Sequence, residues 1–189
     1  MNVAAPREAG QGEFVPLLRN VRENRFVAVV PERLETRRLV LRTWQDADRD
    51  AFAALHGGSD RLLDDVLAHW RTHGFGAWAV ERRDGDGPPG VGLTGLVVPS
   101  FLTAVLPAAE VVWHVPPAWR GAGVATEAAR AAVACAWRAL GVRRVLCVVR
   151  PDNAASLRVA HKLGMRPGAD RVLPRTGERV RVFELDAPR

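Results

Sequence analysis

The chain has 189 residues, enough for one domain with an extension, and its 48% apolar and 25% charged composition excludes disorder for the bulk of it. No apolar run reaches the roughly 20 residues that span a bilayer, and the opening MNVAAPREAG lacks the apolar core of a secretion signal, so a cytosolic protein is expected. The formal charge of +6, from 27 basic and 21 acidic residues, would steer an anionic cofactor or substrate, while the absence of dense Lys/Arg runs, zinc-finger spacing and aromatic stacking motifs argues against direct nucleic-acid binding and against a metal site.

Residues 1–30 hold Pro6, Gly10, Gly12 and Pro16, then mixed basic residues and the short apolar stretch 26–30. An irregular extension over 1–32 is expected, with 26–30 open to an added strand, a surface clasp or a homodimer contact. Residues 34–44, LETRRLVLRTW, set Leu39 and Leu41 against Arg38, Val40 and Arg42, which predicts one strand. Residues 45–55 carry apolar side chains at helical spacing, with Asp46 and Asp48 where negative charge complements the helix dipole, and Gly57-Gly58 ends them. Ser59 or Asp60 would cap a second helix, whose stripe Leu62, Leu63, Val66, Leu67 and Trp70 closes at His73-Gly74. Residues 75–83 and 91–98 predict an antiparallel hairpin around the turn-rich 84–90. Residues 99–107 break the pattern, either covering a substrate entrance or packing as a surface loop.

The next stretch organises the chain. Val111, Val112, Trp113 and Val115 read as a strand stopped by Pro116 and Pro117. Arg120-Gly121-Ala122-Gly123-Val124-Ala125 follows, then an Ala-rich helix with no Gly or Pro before Gly141. A strand, a glycine turn and a helix N-terminus together make an anion site, because the first helical N–H groups have no intrahelical partner and glycine permits close approach. Residues 142–149 form a second β-branched strand, so a parallel crossover unit is expected. Residues 153–163 predict a helix ended by Gly164, and 168–173 and 179–185 predict two last strands. The fold class expected is α/β, a mixed, mostly antiparallel sheet flanked by helices over residues 33–186. Cys135 and Cys147 read as two buried thiols rather than a disulfide.

Two rival loops fail on the glycine turn. RGAGVATEA lacks the lysine and Ser/Thr of a Walker loop, and its sixth position is Thr126 where a dinucleotide fingerprint wants Gly or Ala. By contrast, Arg120-x-x-Gly123-x-Ala125 with Thr126-Glu127-Ala128-Ala129 resembles the acyl-coenzyme A signature of the GCN5-related N-acetyltransferases. Residues 34–42, Gly74-Phe75-Gly76 with Trp78, and residues 153–165 (NAASLRVAHKLGM) strengthen the likeness, which extends to the subgroup of ribosomal-protein N-terminal acetyltransferases. The resemblance implies an acyltransferase using acetyl-CoA as cosubstrate, lodged where the sheet splays after its fourth strand. It implies that the backbone N–H groups of Gly121, Ala122, Gly123, Val124, Ala125 and Thr126 hold the pyrophosphate, with Arg120 at the edge. The subgroup often has Trp at the position of Arg120 and an aromatic residue at that of Val124; here Trp119 is displaced by one.

Acetyl transfer from a thioester to an amine requires loss of an amine proton, donors to the thioester oxygen, and protonation of the departing sulfur, but no covalent enzyme intermediate. With no tyrosine in the chain, no tyrosine can supply a proton. Glu110 is the first candidate base, directly or through water, against the alternative of a solvated strand end; Glu110→Gln is expected to lower turnover most at low pH. His114 is second, since Glu110, Val112 and His114 share a strand face by period two unless a bulge intervenes, with a lone, hydrogen-bonded histidine as the alternative. On the resemblance, Asn153 orients the cofactor's arm or a water, with helix capping as the alternative, and Ser156 serves as thiolate acid or positions water. Trp113 and Val115 lie along the cofactor strand, with core packing the alternative for Trp113. Arg150, Arg158 and Lys162 are candidates near the adenosine 3'-phosphate, Arg158 and Lys162 being one helical turn apart, with a solvated charged face as the alternative, for Arg158 above all. Phe75, Trp78 and residues 99–107 are candidates for the acceptor pocket, with core packing the alternative for the two aromatic residues. The acceptor expected is a protein N-terminal α-amine, with an antibiotic, polyamine or other small amine as alternative, and a non-catalytic acyl-CoA-binding or RNA-associated protein as the contrasting class.

Overall fold

Short β-branched runs separated by Gly, Pro and Asp fold here into one sheet, and the amphipathic segments between them cover it. The computed structural model describes residues 30–57, 60–83, 91–99, 108–174 and 176–188. Its strands are β1 (Arg33–Glu35), β2 (Leu39–Arg42), β3 (Ala77–Arg82), β4 (Gly92–Val97), β5 (Ala109–His114), β6 (Arg144–Val149), β7 (Arg166–Val172) and β8 (Arg179–Asp186). They lie in the order β1-β2-β3-β4-β5-β6-β8-β7. Every pairing is antiparallel except β5 with β6. That is the expected mixed, mostly antiparallel sheet.

The helices are α1 (Arg49–His56), α2 (Asp60–His73), α3 (Val124–Cys135) and α4 (Ala154–Lys162). Trp44, Phe52, Leu62, Leu63 and Val66 pack on Ala77, Ala79 and Leu93, so α1 and α2 cover one sheet face. On the other face, Ala128, Ala129, Ala132 and Val133 of α3 pack against Leu39, Leu41, Trp78, Val80, Leu96, Val111 and Val145. Alanines at the contact let α3 sit close to the sheet, and alanine also favours the helix itself. The helix runs into one wide π turn, Ala136–Leu140, before Gly141 ends it at φ 62°.

Several boundaries differ from the sequence reading. Residues 34–44 make two antiparallel strands, with Leu34 opposite Leu41, instead of one. The turn between them has no glycine or proline; the Thr36 hydroxyl builds it, accepting from the Leu39 N–H at 3.0 Å. The expected first helix opens as a 3₁₀ turn, Asp46–Asp48, because Asp48 turns back to accept from the Gln45 N–H at 2.8 Å. Phe75 and Trp78, expected at an acceptor pocket, are fully buried core residues, each 0% exposed. The indole of Trp78 donates to the Pro31 carbonyl at 3.1 Å. Ser59 and the segments 1–29, 84–90 and 100–107, which carry the expected extension, hairpin turn and loop, lie outside the described residues.

Candidate active site

The site begins as an interruption of the sheet. β4 pairs with β5 as far as His114, but β5 pairs with β6 only at Ala109–Val145 and Glu110–Leu146. Beyond Glu110 the two parallel strands part. Among the described residues, one edge of β5 over residues 111–114 is therefore left without a strand beside it, a row of backbone groups that an extended ligand can pair with. A cavity of about 670 Å³ fills the gap.

Glu110 stands at the apex of this gap. Its side chain is only 2% exposed, and Oε2 is buried with no hydrogen-bond partner among the described residues. Burial pushes the carboxyl up to about 8, so it holds its proton through neutral pH. A carboxyl that ionises only near pH 8 can accept a proton only above about that pH, whereas the sequence expectation places the largest effect of Glu110→Gln at low pH.

The glycine turn forms the cavity's other end. Gly121 and Gly123 have φ of 80° and 78°, values that side-chain-bearing residues rarely adopt. Gly123 is the N-cap of α3, and the first N–H to close an intrahelical bond is that of Glu127, to the Gly123 carbonyl at 3.0 Å. The N–H groups of Val124, Ala125 and Thr126 precede it and have no acceptor within the helix. Arg120, Gly121, Gly123, Val124, Ala125 and Thr126 line the cavity, as do Trp113 and Val115. Ala122 does not; its carbonyl is turned away to accept from Arg38 Nη1 at 3.0 Å.

The far wall is α4. Asn153 caps it, its Oδ1 accepting from the Ser156 N–H at 3.0 Å, so the capping alternative is real. Asn153, Ser156, Arg158 and Lys162 all line the cavity. Arg150 lines it too, but its guanidinium pairs with Asp152 at 2.8 Å and Glu178 at 3.1 Å. That pairing makes Arg150 a weaker phosphate candidate than Arg158 or Lys162.

His114 lines the cavity from the α1 side, and its Nδ1 lies 3.3 Å from His56 Nδ1. Desolvation, assisted by Arg120, holds the His114 imidazole below its ordinary value. His56 is lowered to about 3 by burial and then by His114. Both rings are neutral at pH 7, so one Nδ1 carries the shared proton and the other accepts it. Cys147 also lines the cavity, but burial, reinforced by the Glu110 carboxyl, pushes its thiol well up. It is no nucleophile there, and both cysteines are free.

Comparison with known proteins bears directly on this geometry. The family described as acetyltransferase (GNAT) domain matches residues 38–166. The chain belongs to the GNAT acetyltransferase family. Among solved structures, a Bordetella pertussis chain assigned to GnaT-family acetyltransferases is 25% identical, with a TM-score of 0.69 over 82% of this chain and 99% of that one. An acetyltransferase from Agrobacterium tumefaciens str. C58 is 26% identical, with a TM-score of 0.64 over 88% and 100%. Mycobacterium smegmatis RimJ in complex with CoA-disulfide shares the fold at 20% identity, with a TM-score of 0.62 over 79% and 82%. GNAT membership implies acetyl-CoA as acyl donor. The residues present fit such a donor: a bare strand edge, a positive-φ turn at a helix N-terminus and a buried carboxyl with an unpartnered oxygen.

Thus the fold brings Glu110, His114, Ser156, Asn153, Lys162 and the glycine turn to one cavity. Sequence reasoning missed Thr36 and Arg38, which bind Glu127 and the back of the glycine turn. They lie in the LETRRL stretch quoted for its resemblance, so a signal was present without a role. His56 was also missed; nothing local marks it, because its partner is 58 residues away.

Proposed function

We propose that the protein transfers an acetyl group from acetyl-CoA to a primary amine by direct attack, and that its acceptor is a peptide N-terminal α-amine. Glu110 carries the reading: a buried carboxyl with an unpartnered oxygen, at the apex of a cavity whose other end is the anion-binding turn. In this proposal the backbone of Gly121 and of residues 123–126, with Arg120, holds the diphosphate, with Lys162 and Arg158 toward the 3'-phosphate. The edge of β5 from Val111 to His114, with Trp113 and Val115, lies along the pantetheine arm, and Asn153 orients that arm while capping α4.

Bound acetyl-CoA supplies a thioester carbonyl and a thiolate leaving group. Glu110, once ionised, takes the amine proton directly or through water as the new C–N bond forms. The Ser156 hydroxyl stands as proton donor or water-positioning group for the departing sulfur, a modest role for an unactivated hydroxyl. His114 is the alternative proton acceptor. The peptide acceptor is supported by the residues shared with the ribosomal-protein N-terminal acetyltransferases, and the shared fold of RimJ is compatible with it.

The deciding experiment incubates the protein with isotope-labelled acetyl-CoA and a panel of peptide N-termini and small amines, with mass detection of products. Labelled peptide α-amines are expected. Product on small amines alone would refute the peptide acceptor, and no product with any amine would refute the enzyme reading.

A further inference from the structure

We infer that Arg38 is a positioning residue for the anion-binding turn, acting by drawing the Ala122 carbonyl and the Glu127 carboxylate away from the cavity. This rests on the acetyl-CoA reading above. Arg38 lies at the entry to β2 and reaches across to α3. Its Nη1 donates to the Ala122 carbonyl at 3.0 Å, its Nε to Glu127 Oε2 at 2.7 Å, and its backbone N–H to Glu127 Oε1 at 3.0 Å. The Thr36 hydroxyl adds a donation to Glu127 Oε1 at 2.7 Å. One cation therefore holds both the turn and the first turn of the helix behind it.

Two consequences follow from elementary geometry and charge. In a trans peptide the C=O and N–H point in opposite directions, so pinning the Ala122 carbonyl on Arg38 aims the Gly123 N–H the other way. That orientation suits a diphosphate, whereas a free carbonyl turned into the cradle would repel it. Glu127 complements the α3 dipole when the site is empty, but a bare carboxylate there would oppose a bound anion. Burial works to raise the Glu127 carboxyl; the hydrogen bonds from Thr36 and Arg38 outweigh it and hold the group below its ordinary value. Glu127 is thus ionised and paired, and it lines a neighbouring cavity of about 530 Å³ with Arg37, Arg38 and Arg130 rather than the larger one. Gly123, Thr126 and Lys162 line both cavities, whereas the Arg38–Glu127 pair lines only the smaller one.

The test measures binding of CoA and of pantetheine, which lacks the diphosphate, by calorimetry on the full chain. Arg38→Met is expected to raise the Kd for CoA about tenfold to a hundredfold, the range given by loss of a charge-assisted hydrogen bond. Pantetheine affinity should stay at the parent level. In turnover, KM for acetyl-CoA should rise with kcat retained. Arg38→Lys guards against misfolding: it keeps a charge beside Glu127, but one ammonium lacks the fork that holds both partners, so CoA binding still weakens while the melting temperature is preserved. Adding Glu127→Gln to Arg38→Met should recover part of the loss, and no recovery would overturn the charge argument. Unchanged CoA affinity in both Arg38 variants, or equal losses for CoA and pantetheine, would overturn the inference while leaving the acetyl-CoA reading intact. Failure of the unaltered protein to bind CoA would instead remove both.

Discussion

The Nδ1 atoms of His56 and His114 lie 3.3 Å apart, joining the last residue of α1 to the last residue of β5. The rings meet edge to face with centroids 4.7 Å apart. Only one shared proton fits between the two nitrogens, so protonating both rings breaks the contact. The folded pKa values of both lie below the unfolded value near 6.5, His56 at about 3. Lowered values mean that the neutral form is favoured by folding. The stability this contributes is present above pH 6.5 and is lost as the pH falls towards 3. His56→Phe should flatten the fall in melting temperature between pH 6.5 and pH 5, where most carboxylates have not yet titrated. An unchanged slope in the variant would show that the pair is not what acid attacks.

Glu110 gives the opposite sign. The unfolded carboxyl releases its proton near 4.5, whereas the folded one keeps it to about 8. Between those values the folded protein binds the extra proton, so stability declines as pH rises through the window. Without ligand, Glu110→Gln should melt close to the parent at pH 4.5 and above it at pH 9. Activity should move the other way. If Glu110 is the base, kcat/KM of the parent climbs as pH passes about 8, and Glu110→Gln loses that limb with turnover down by about a hundredfold or more. A variant that keeps the limb assigns it to the amine itself, and His114→Gln becomes the next variant to profile.

Much of this site was legible because it is written locally. Two prolines stop β5, two glycines allow positive φ, and the alanine-rich run behind them can only be a helix. Those features need no partner elsewhere in the chain. What escaped depends on partners distant in sequence. The β1–β2 turn has no glycine or proline, and it is held by Thr36 and by Glu127 of α3. Phe75 and Trp78 have the aromatic character of pocket residues, yet α2 and α3 enclose them, and no spacing rule says which way a buried ring will face. Glu110 reads from sequence as a candidate base with a solvated strand end as the alternative, and its burial depends on where the pairing of β5 with β6 ends, which no local pattern gives.

The hairpin that carries β4 toward the site has a narrow point at Gly95. A Cβ at this position would lie 2.2 Å from the Ala77 Cα and 2.5 Å from the Gly76 carbonyl oxygen. Both are backbone atoms, which cannot swing aside as a side chain can. The Gly76 carbonyl also accepts from the Leu96 N–H at 3.1 Å, so separating the strands would strain that bond. Gly95→Ala should cost about 1–3 kcal/mol or more, the range for overpacking a rigid contact. Chemical denaturation measures it, and a parent-like midpoint would mean that the strands part more easily than this contact implies.

Asn153 offers the sharpest separation of structure from function, because two roles fall on different atoms of one amide. Its Oδ1 caps α4 by accepting from the Ser156 N–H. The Nδ2 donor is the part that would serve a ligand's amide or a water. Serine caps helices about as well as asparagine but brings no amide donor, whereas alanine brings neither. Asn153→Ala should therefore lower stability by about 1 kcal/mol, the usual worth of an N-cap, and raise KM for acetyl-CoA as well. Asn153→Ser should keep the parent's melting temperature and still raise KM for acetyl-CoA. If the serine variant matches the parent in both measurements, Asn153 is a cap alone, and orientation of the pantetheine arm passes to the bare edge of β5.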